Sequence, residues 1–234
     1  MSVFSFKEFE IFQANSSLKV GTDAMIFGAF VNTEGKQNAL DIGAGTGVLS
    51  LMVAQRNEDL QIEAIEVEEA AVHDCHLNFE NSNWSNNLTL HNGDFLQFQF
   101  EKKFDLIFTN PPFYYKGLLS GSNATNLAKH NDSLPFESLF KRVSELLSNS
   151  GDFWIIVPFE LESLMMSLSS SVDLVVFKKI NVFAKPGRTS RIILGFSNAT
   201  KSISEESFII REESGKYSQD YKILTQDFHG TIIN

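Results

Sequence analysis

The sequence predicts an α/β fold with a seven-stranded mixed sheet, one antiparallel strand and helices on both faces. From Asn38 onward, short apolar runs alternate with longer amphipathic segments, which is typical of parallel strands joined by helices. The last two apolar runs are separated only by residues 183–190, so these strands are expected to form an antiparallel pair. The pattern therefore predicts a parallel sheet with one reversed strand near its edge.

The elements follow in order from these patterns. Strands are predicted at 39–42, 62–66, 88–91, 104–109, 153–157, 174–182 and 192–196. Apolar residues recur at helical spacing in 48–56, 68–81, 136–147 and 160–168, and the Asn-Ser-Gly of 149–151 is typical of a helix end. A short helix at 22–31, with Thr22 or Asp23 as its N-cap, should precede the sheet. A strand at 208–211 and a helix at 221–228 should follow it, and the aperiodic residues 116–133 are expected to form a loop.

Composition favours one globular domain spanning residues 1–234, made of an N-terminal segment (1–37), a core (38–200) and an extension (201–234). Hydrophobic residues make up 43% of the chain, but no apolar run approaches the roughly 20 residues that span a bilayer. The first residues do not resemble a secretory signal, so a cytoplasmic, monomeric protein without a membrane segment is expected. Cys75 is the single cysteine, which excludes an internal disulfide; no metal site is expected.

A glycine-rich loop follows the first predicted strand and opens the next helix. Glycines there let the backbone turn sharply and approach a ligand, while the helix N-terminus presents free N–H groups. A dinucleotide site would need its third glycine where Val48 stands, so the G-x-G-x-G spacing favours S-adenosylmethionine (SAM), with a purely structural turn as the alternative. The predicted cofactor contacts in this loop are Asp41, Gly43, Ala44, Gly45 and Gly47.

Residues at the ends of the next two strands are candidates for holding the rest of the cofactor. Glu66 ends the second strand, where a carboxylate can accept hydrogen bonds from both ribose hydroxyls, and Val67 is assigned to the same site. Three nearby acids are alternatives to Glu66: Glu63, Glu68 and Glu69. After the third strand, Asp94 is predicted to bind the adenine amine and Phe95 to stack on its ring, although Phe95 suits the core nearly as well.

The most specific motif is Asn110-Pro111-Pro112-Phe113, at the end of the fourth predicted strand. Proline has a fixed φ and no N–H donor, so the turn is rigid and offers only acceptors. If the Asn110 side-chain oxygen and the Pro111 carbonyl accept both N–H groups of a planar amine, its lone pair points out of plane toward a methyl donor. Phe113 would then stack on the base or amide. The motif predicts N-methylation without a strong general base, with an ordinary strand-ending turn as the alternative.

The chain resembles the bacterial tRNA1(Val) (adenine(37)-N6)-methyltransferases, which have the Rossmann-like fold of class I SAM-dependent methyltransferases. The resemblance covers nearly the whole chain and is carried by residues 19–24, the glycine loop, the Asn-Pro-Pro turn and a late segment with Tyr217-Ser218, Tyr221 and Leu224-Thr225. Many relatives have tyrosine where Phe113 stands. The resemblance implies methylation of adenine N6 in tRNA. It also implies that the early segment closes over the cofactor, with contacts from Lys19, Gly21, Thr22 and Asp23.

Five basic residues surround the loop between the last two strands: Lys178, Lys179, Lys185, Arg188 and Arg191. The chain has a formal charge of −10, which argues against a protein that coats nucleic acid electrostatically. A local basic cluster can nevertheless steer a polyanion, so Lys185, Arg188 and Arg191 are predicted to contact the RNA backbone. The alternative is a solvated sheet edge that discourages strand pairing.

Three other functions remain open at this point. The Asn-Pro-Pro-aromatic turn also occurs in rRNA guanine-N2 and protein glutamine-N5 methyltransferases. The glutamine enzymes carry a helical substrate domain before the glycine loop, whereas only 40 residues precede Asp41 here, which argues against a glutamine-N5 enzyme. A SAM-binding scaffold without catalysis is the third possibility, and the intact acceptor turn argues against it.

Overall fold

The computed structural model describes residues 2–17, 19–112 and 134–229. Phe113 and the expected loop at 116–133 therefore lie outside the described residues. The chain begins with a two-stranded antiparallel sheet, β1 (Val3–Ser5) and β2 (Glu10–Phe12), which the sequence patterns did not predict. Helix α1 (Thr22–Phe30) follows. Its N-cap is Gly21, without a side-chain cap, so the assignment of Thr22 or Asp23 as N-cap was wrong; both lie in the first turn.

The main sheet has eight strands in the described part of the chain, in the order β10-β8-β9-β7-β6-β3-β4-β5. Their bounds are β3 (Asn38–Ile42), β4 (Gln61–Glu66), β5 (Leu88–Asn92), β6 (Phe104–Thr109), β7 (Leu147–Pro158), β8 (Val175–Lys185), β9 (Arg188–Ser197) and β10 (Ser204–Ile209). Strand β9 is antiparallel to both neighbours and the other pairs are parallel, which confirms the predicted mixed sheet with one reversed strand. The eighth strand is β10, which pairs with β8 rather than standing apart.

Helices cover both faces of the sheet, as predicted. Their bounds are α2 (Val48–Arg56), α3 (Glu69–Glu80), α4 (Phe136–Leu146), α5 (Glu162–Ser171) and α6 (Gln219–Thr225). Two buried clusters separate the faces: one contains residues of α1, α2, α3 and the N-terminal hairpin, and the other contains residues of α4 and α5. Side chains alternate along each strand, so Phe108 belongs to the first cluster and Ile107 to the second.

The last hairpin is tighter than the sequence predicted. Strands β8 and β9 continue to Lys185 and Arg188, which pair directly, so the loop expected at 183–190 is a two-residue turn. Pro186 and Gly187 form this turn, and Gly187 has φ +71°, a value that favours glycine. The basic residues on either side of this turn therefore lie at the ends of β8 and β9 rather than in a long loop.

Two sequence expectations concern burial. Cys75 is fully buried, and burial raises the pKa of its thiol, as expected of a small apolar core residue. Within the described ranges, the helices are too short or too polar to cross a membrane.

Candidate active site

The carboxyl ends of neighbouring parallel strands bring the predicted site residues to one edge of the sheet. Ile42 at the end of β3 is in register with Ile65 of β4 on one side and with Thr109 of β6 on the other. The Thr109 hydroxyl also donates a hydrogen bond to the Ile42 carbonyl, at 2.7 Å. The residues that follow these three are Gly43, Glu66 and Asn110. Since adjacent strands lie about 4.8 Å apart, the glycine loop begins directly between the acid and the acceptor turn.

The glycine loop leaves open space on one side and packs tightly on the other. Gly43 and Gly45 have φ of +70° and +57°, and a Cβ added at either would meet no described atom within 4 Å. At Gly47, in contrast, an added Cβ would lie 2.6 Å from the Phe79 ring and 2.8 Å from the Cys75 sulfur. The loop therefore needs Gly47 to rest on α3, while Gly43 and Gly45 leave room for a ligand.

Asp41 lies under this loop and is fully buried. Its Oδ2 accepts a 2.7 Å hydrogen bond from the Ser50 hydroxyl, whereas its Oδ1 has no partner among the described residues. Burial, followed by the neighbouring charge of Glu66, raises the pKa of Asp41 to about 7 against the opposing hydrogen bond from Ser50. A buried acceptor without a partner is costly, so Asp41 suits a ligand that brings a cation or a donor.

Glu66 connects β4 to the glycine loop. Its Oε2 accepts the Gly45 N–H at 2.8 Å, and its Oε1 accepts the N–H groups of Val67 and Glu68 at 2.7 and 2.9 Å. A carboxylate has about four lone-pair sites, two on each oxygen, so Oε2 can still accept one hydroxyl donor. Val67, next in the chain, is 65% exposed and offers an apolar surface at the same edge.

The alternative acids have other roles in the structure. Glu63 lies within β4 and bonds His91 at 2.6 Å and Lys102 at 2.9 Å. Burial alone would raise the pKa of Glu63, but these hydrogen bonds lower it below its usual value. Glu68 accepts a hydrogen bond from Ser17, and Glu69 begins α3. Of the four acids, Glu66 alone occupies the strand end beside the glycine loop.

Asp94 and Phe95 follow β5, at the next strand end. The carboxylate of Asp94 accepts the Leu96 N–H and the Gln97 side-chain amide, both at 2.9 Å, which orders the turn after the strand. Phe95 is 5% exposed and belongs to the core cluster on the α4 and α5 face. Asp94 thus borders the cleft, while the ring of Phe95 packs mainly in the core.

The acceptor turn follows β6. Asn110 is half-buried, and neither its side-chain amide nor the Pro111 carbonyl has a hydrogen-bond partner among the residues that the structure describes. Pro111 is buried and Pro112 partly buried. The proposed stacking residue Phe113, with its neighbours Tyr114 and Tyr115, lies outside the described residues. Within the described part, the turn offers two unused acceptors beside the glycine loop.

The N-terminal segment is bound to α3 through two buried polar side chains that sequence reasoning missed. Asn78 exchanges hydrogen bonds with the Phe12 backbone at 2.7 and 2.9 Å and donates to the Thr46 carbonyl of the glycine loop at 2.8 Å. Asp74 accepts the backbone N–H groups of Asn15 and Ser16 at 2.9 and 2.8 Å. Their spacing of four residues on the apolar stripe of α3 was a usable signal, because buried polar groups need partners.

Residues 19–23 divide between this segment and α1. Lys19 donates to the Gln13 and Ser16 carbonyls, so its ammonium stabilises the turn before α1. Gly21 caps α1, and Thr22 begins it. Asp23 pairs with Arg191 of β9 at 2.7 Å, which links α1 to the second strand of the last hairpin. The ion pair joins a predicted cofactor residue to a predicted RNA residue, which no local pattern indicated.

The five basic residues do not form one patch. Lys178 pairs with Glu206 at 3.1 Å, and Lys179 pairs with Glu162 at 2.5 Å and Glu205 at 3.1 Å. These lysines sit in the first half of β8, where acids of β10 and α5 offset their charge. Including them in the basic cluster was therefore wrong.

Lys185 and Arg188 remain as the basic pair at the hairpin. Both are exposed, and neither forms an ion pair with another residue in the described ranges. Strand β8 runs parallel to β7 while β9 is reversed, so the turn joining β8 to β9 lies at the same edge of the sheet as Asn110. Throughout the described residues, no three His, Cys, Asp or Glu side chains are grouped as metal ligands.

Comparison with known proteins identifies close relatives. Residues 10–183 match the family model of the methyltransferase small domain. A protein named tRNA1(Val) (adenine(37)-N6)-methyltransferase from Bacteroides thetaiotaomicron is 35% identical over 228 residues, covering 97% of this chain and 96% of the relative. A protein of the same name from Aliivibrio fischeri is 36% identical over 228 residues, covering 97% of both.

Solved structures show the same fold at low sequence identity. A predicted O-methyltransferase from Agrobacterium tumefaciens aligns with a TM-score of 0.69 at 15% identity, covering 90% of this chain and 98% of that one. The glycopeptide N-methyltransferase MtfA in complex with SAM aligns with a TM-score of 0.55 at 11% identity, covering 76% and 87%. These likenesses establish the class I methyltransferase architecture.

Proposed function

Because the chain belongs to the tRNA1(Val) (adenine(37)-N6)-methyltransferase family, we propose that it methylates N6 of adenine 37 in tRNA1(Val). It is a SAM-dependent methyltransferase. A tRNA substrate would place it in the cytoplasm. The observation that carries the proposal is the register of β3 and β6, which sets an acceptor-only turn beside a glycine loop that has room for a ligand.

The acceptor turn would orient the reacting amino group. The exocyclic nitrogen of adenine carries two N–H donors, and the Asn110 amide oxygen and the Pro111 carbonyl, which have no other partner among the described residues, can accept them. With both donors directed to the turn, the nitrogen lone pair points across the cleft toward the glycine loop. Because these acceptors are held in position before the reaction, they also stabilise the positive charge that develops on this nitrogen. The turn thus favours attack by a neutral amine, and the proton leaves afterwards.

The residues on the other side of the cleft fit SAM. When bound there, SAM supplies an electrophilic methyl group. The Oδ1 of Asp41, which has no partner among the described residues, suits the ammonium of its methionine part, and the remaining acceptor site on Oε2 of Glu66 suits a ribose hydroxyl. Asp94 and the exposed Val67 border the place of the adenine ring. The space at Gly43 and Gly45 is what a closely bound ligand requires.

The N-terminal segment would cover this site. Asn78 holds both the Phe12 backbone and the Thr46 carbonyl, so the segment and the glycine loop share one buried anchor. This supports the prediction of one domain over residues 1–234, with residues 1–37 beside the cofactor. Lys19 would act there indirectly, through the carbonyls that it binds.

The RNA would approach along the last hairpin. Lys185 and Arg188 are exposed cations at the edge that carries Asn110. Arg191 is 30% exposed and pairs with Asp23, so part of its guanidinium remains accessible to a phosphate. The acidic remainder of the chain would limit binding elsewhere, which favours one docking orientation.

Nucleoside mass spectrometry tests the proposal. Purified tRNA1(Val) from cells that lack the gene should contain unmodified adenosine at position 37, and incubation with the purified chain and SAM should produce N6-methyladenosine there. The Asn110→Ala variant is the matched control for the same incubation. Unchanged N6-methyladenosine in tRNA1(Val) from the deletion strain, or methylation of a guanine instead of adenine 37 in the incubation, would refute the assignment.

A further inference from the structure

Phe159 is the most exposed aromatic side chain among the residues described, with 37% of its surface accessible. It belongs to neither core cluster and makes no ring contact with another described aromatic residue. Leu161, two residues later in the same 3-10 turn, is 6% exposed and packs in the core. Leu161 therefore anchors the turn, while the ring of Phe159 stays accessible and stacks on no aromatic residue in the described part of the chain.

The position of Phe159 distinguishes it from a scattered surface residue. It follows Pro158 at the carboxyl end of β7, the strand between the acceptor turn and the basic strand β9. Thr109, the last residue of β6, is in register with Ile155, three residues before Pro158. On its other side, Pro158 is in register with Arg191. Phe159 thus directly follows the strand that lies between β6, whose end carries the turn that would receive the adenine, and β9, which carries the cations that would receive the phosphates.

The chemistry of this position suits a nucleobase. An adenine that enters the acceptor turn has left its own stack, so the neighbouring base loses a stacking partner. An exposed aromatic ring one strand away can replace that partner, because every base has a π-face. Glu160 beside the ring is exposed and acidic, which disfavours a phosphate there and favours a neutral ring contact.

We propose that Phe159 stacks on the nucleotide base next to the target adenine, and so binds the unstacked form of the RNA loop. The inference rests on the proposed function, and it assigns the ring a role in substrate binding that is separate from the amino-group contacts of Asn110. Phosphates of the same strand segment lie toward Arg188 and Arg191.

Kinetics with a tRNA1(Val) transcript test the contact. Phe159→Ala and Phe159→Leu should each raise the KM for tRNA about tenfold, equivalent to about 1.4 kcal/mol, because leucine keeps apolar surface but has no π-face. Phe159→Tyr should stay within about twofold of wild type. The KM for SAM should be unchanged in all three, which shows that the variants are folded. Wild-type KM for tRNA in the alanine variant would overturn the proposal, as would full rescue by leucine.

Fluorescence provides a direct readout. Trp84 and Trp154 are 7% and 2% exposed, so Phe159→Trp adds one accessible indole that a stacked base should quench when the transcript is titrated. Ile203→Trp is the control, because Ile203 is 63% exposed and precedes β10 at the opposite edge of the sheet. Equal quenching at both positions, or none at either, would overturn the stacking. If the wild-type chain methylates the transcript while Phe159 variants behave normally, only this inference fails; if it methylates no tRNA, the proposed function fails with it.

Discussion

Replacing Asp41 with asparagine should stabilise the cofactor-free chain at alkaline pH and weaken its affinity for SAM. Asp41 is fully buried, and one of its oxygens has no described partner. Burial, together with the charge of Glu66, raises its pKa from 3.8 to about 7. The chain thus holds a carboxylate that is costly until a cation neutralises it. Asparagine keeps the shape and can still accept the Ser50 hydroxyl, but it carries no charge.

The magnitude follows from the shift in pKa. A rise of about three units at about 1.36 kcal/mol each means that burying ionised Asp41 costs about 4 kcal/mol. Because the folded pKa is the higher one, the folded chain binds more protons than the unfolded chain between about pH 4 and pH 7. Stability is therefore highest below about pH 4, falls as the pH rises through that window, and is constant above it as far as this group is concerned.

Urea unfolding at pH 5 and pH 8 without SAM measures this effect. Between pH 5 and pH 8 the wild type should lose about 2.5 kcal/mol of unfolding free energy through Asp41, whereas Asp41→Asn has no such loss. The stability of the variant relative to wild type should therefore rise by about 2.5 kcal/mol from pH 5 to pH 8. Glu58→Gln removes an exposed charge and serves as the control. Calorimetry should show that wild type binds SAM more tightly at pH 8 than at pH 5, whereas the variant binds weakly at both. A difference between variant and wild type that does not change with pH would refute the reasoning.

Three further variants test the other parts of the site. Asn110→Ala should lower kcat at least about 100-fold with SAM affinity within about twofold, because it removes an acceptor that acts on the reacting nitrogen; a fully active variant would disprove the role. Gly45→Val should abolish SAM binding in calorimetry, because the valine side chain would fill the open side of the loop at a residue with φ +57°. The circular dichroism spectrum should stay native, and unchanged affinity for SAM would contradict the prediction. Reversing Lys185 and Arg188 to Glu should weaken tRNA binding and make its salt dependence shallower by about 1 to 2 in log–log slope. Arg191 is left intact in that variant because it also pairs with Asp23. If the affinity for tRNA does not change, the hairpin is a solvated sheet edge and does not bind RNA.

The strands could be predicted because their signals are local. Apolar runs mark each strand from β3 to β7, all but β4 with a glycine or proline at or near an end, and the order of motifs along the chain implies which strand ends converge. The N-terminal hairpin escaped prediction because each of its strands has three residues and the end of β2 is held by Asn78, which lies 66 residues away in the sequence. Strand β10 was expected outside the sheet, and its pairing with β8 adds a parallel edge that no short-range pattern encodes.

The sequence alone determined the chemistry of the cleft: a glycine loop, an acid at the next strand end and an acceptor turn after β6. Parallel strands carry their carboxyl ends to a common edge, so local motifs were sufficient to bring these groups together. The tertiary structure alone decided which charges remain free. Lys178 and Lys179 are offset by acids from other elements, Arg191 pairs with an aspartate 168 residues away, and one oxygen of Asp41 has no partner among the described residues. Such pairings depend on distances across the folded chain, which periodicity and spacing in the sequence do not record.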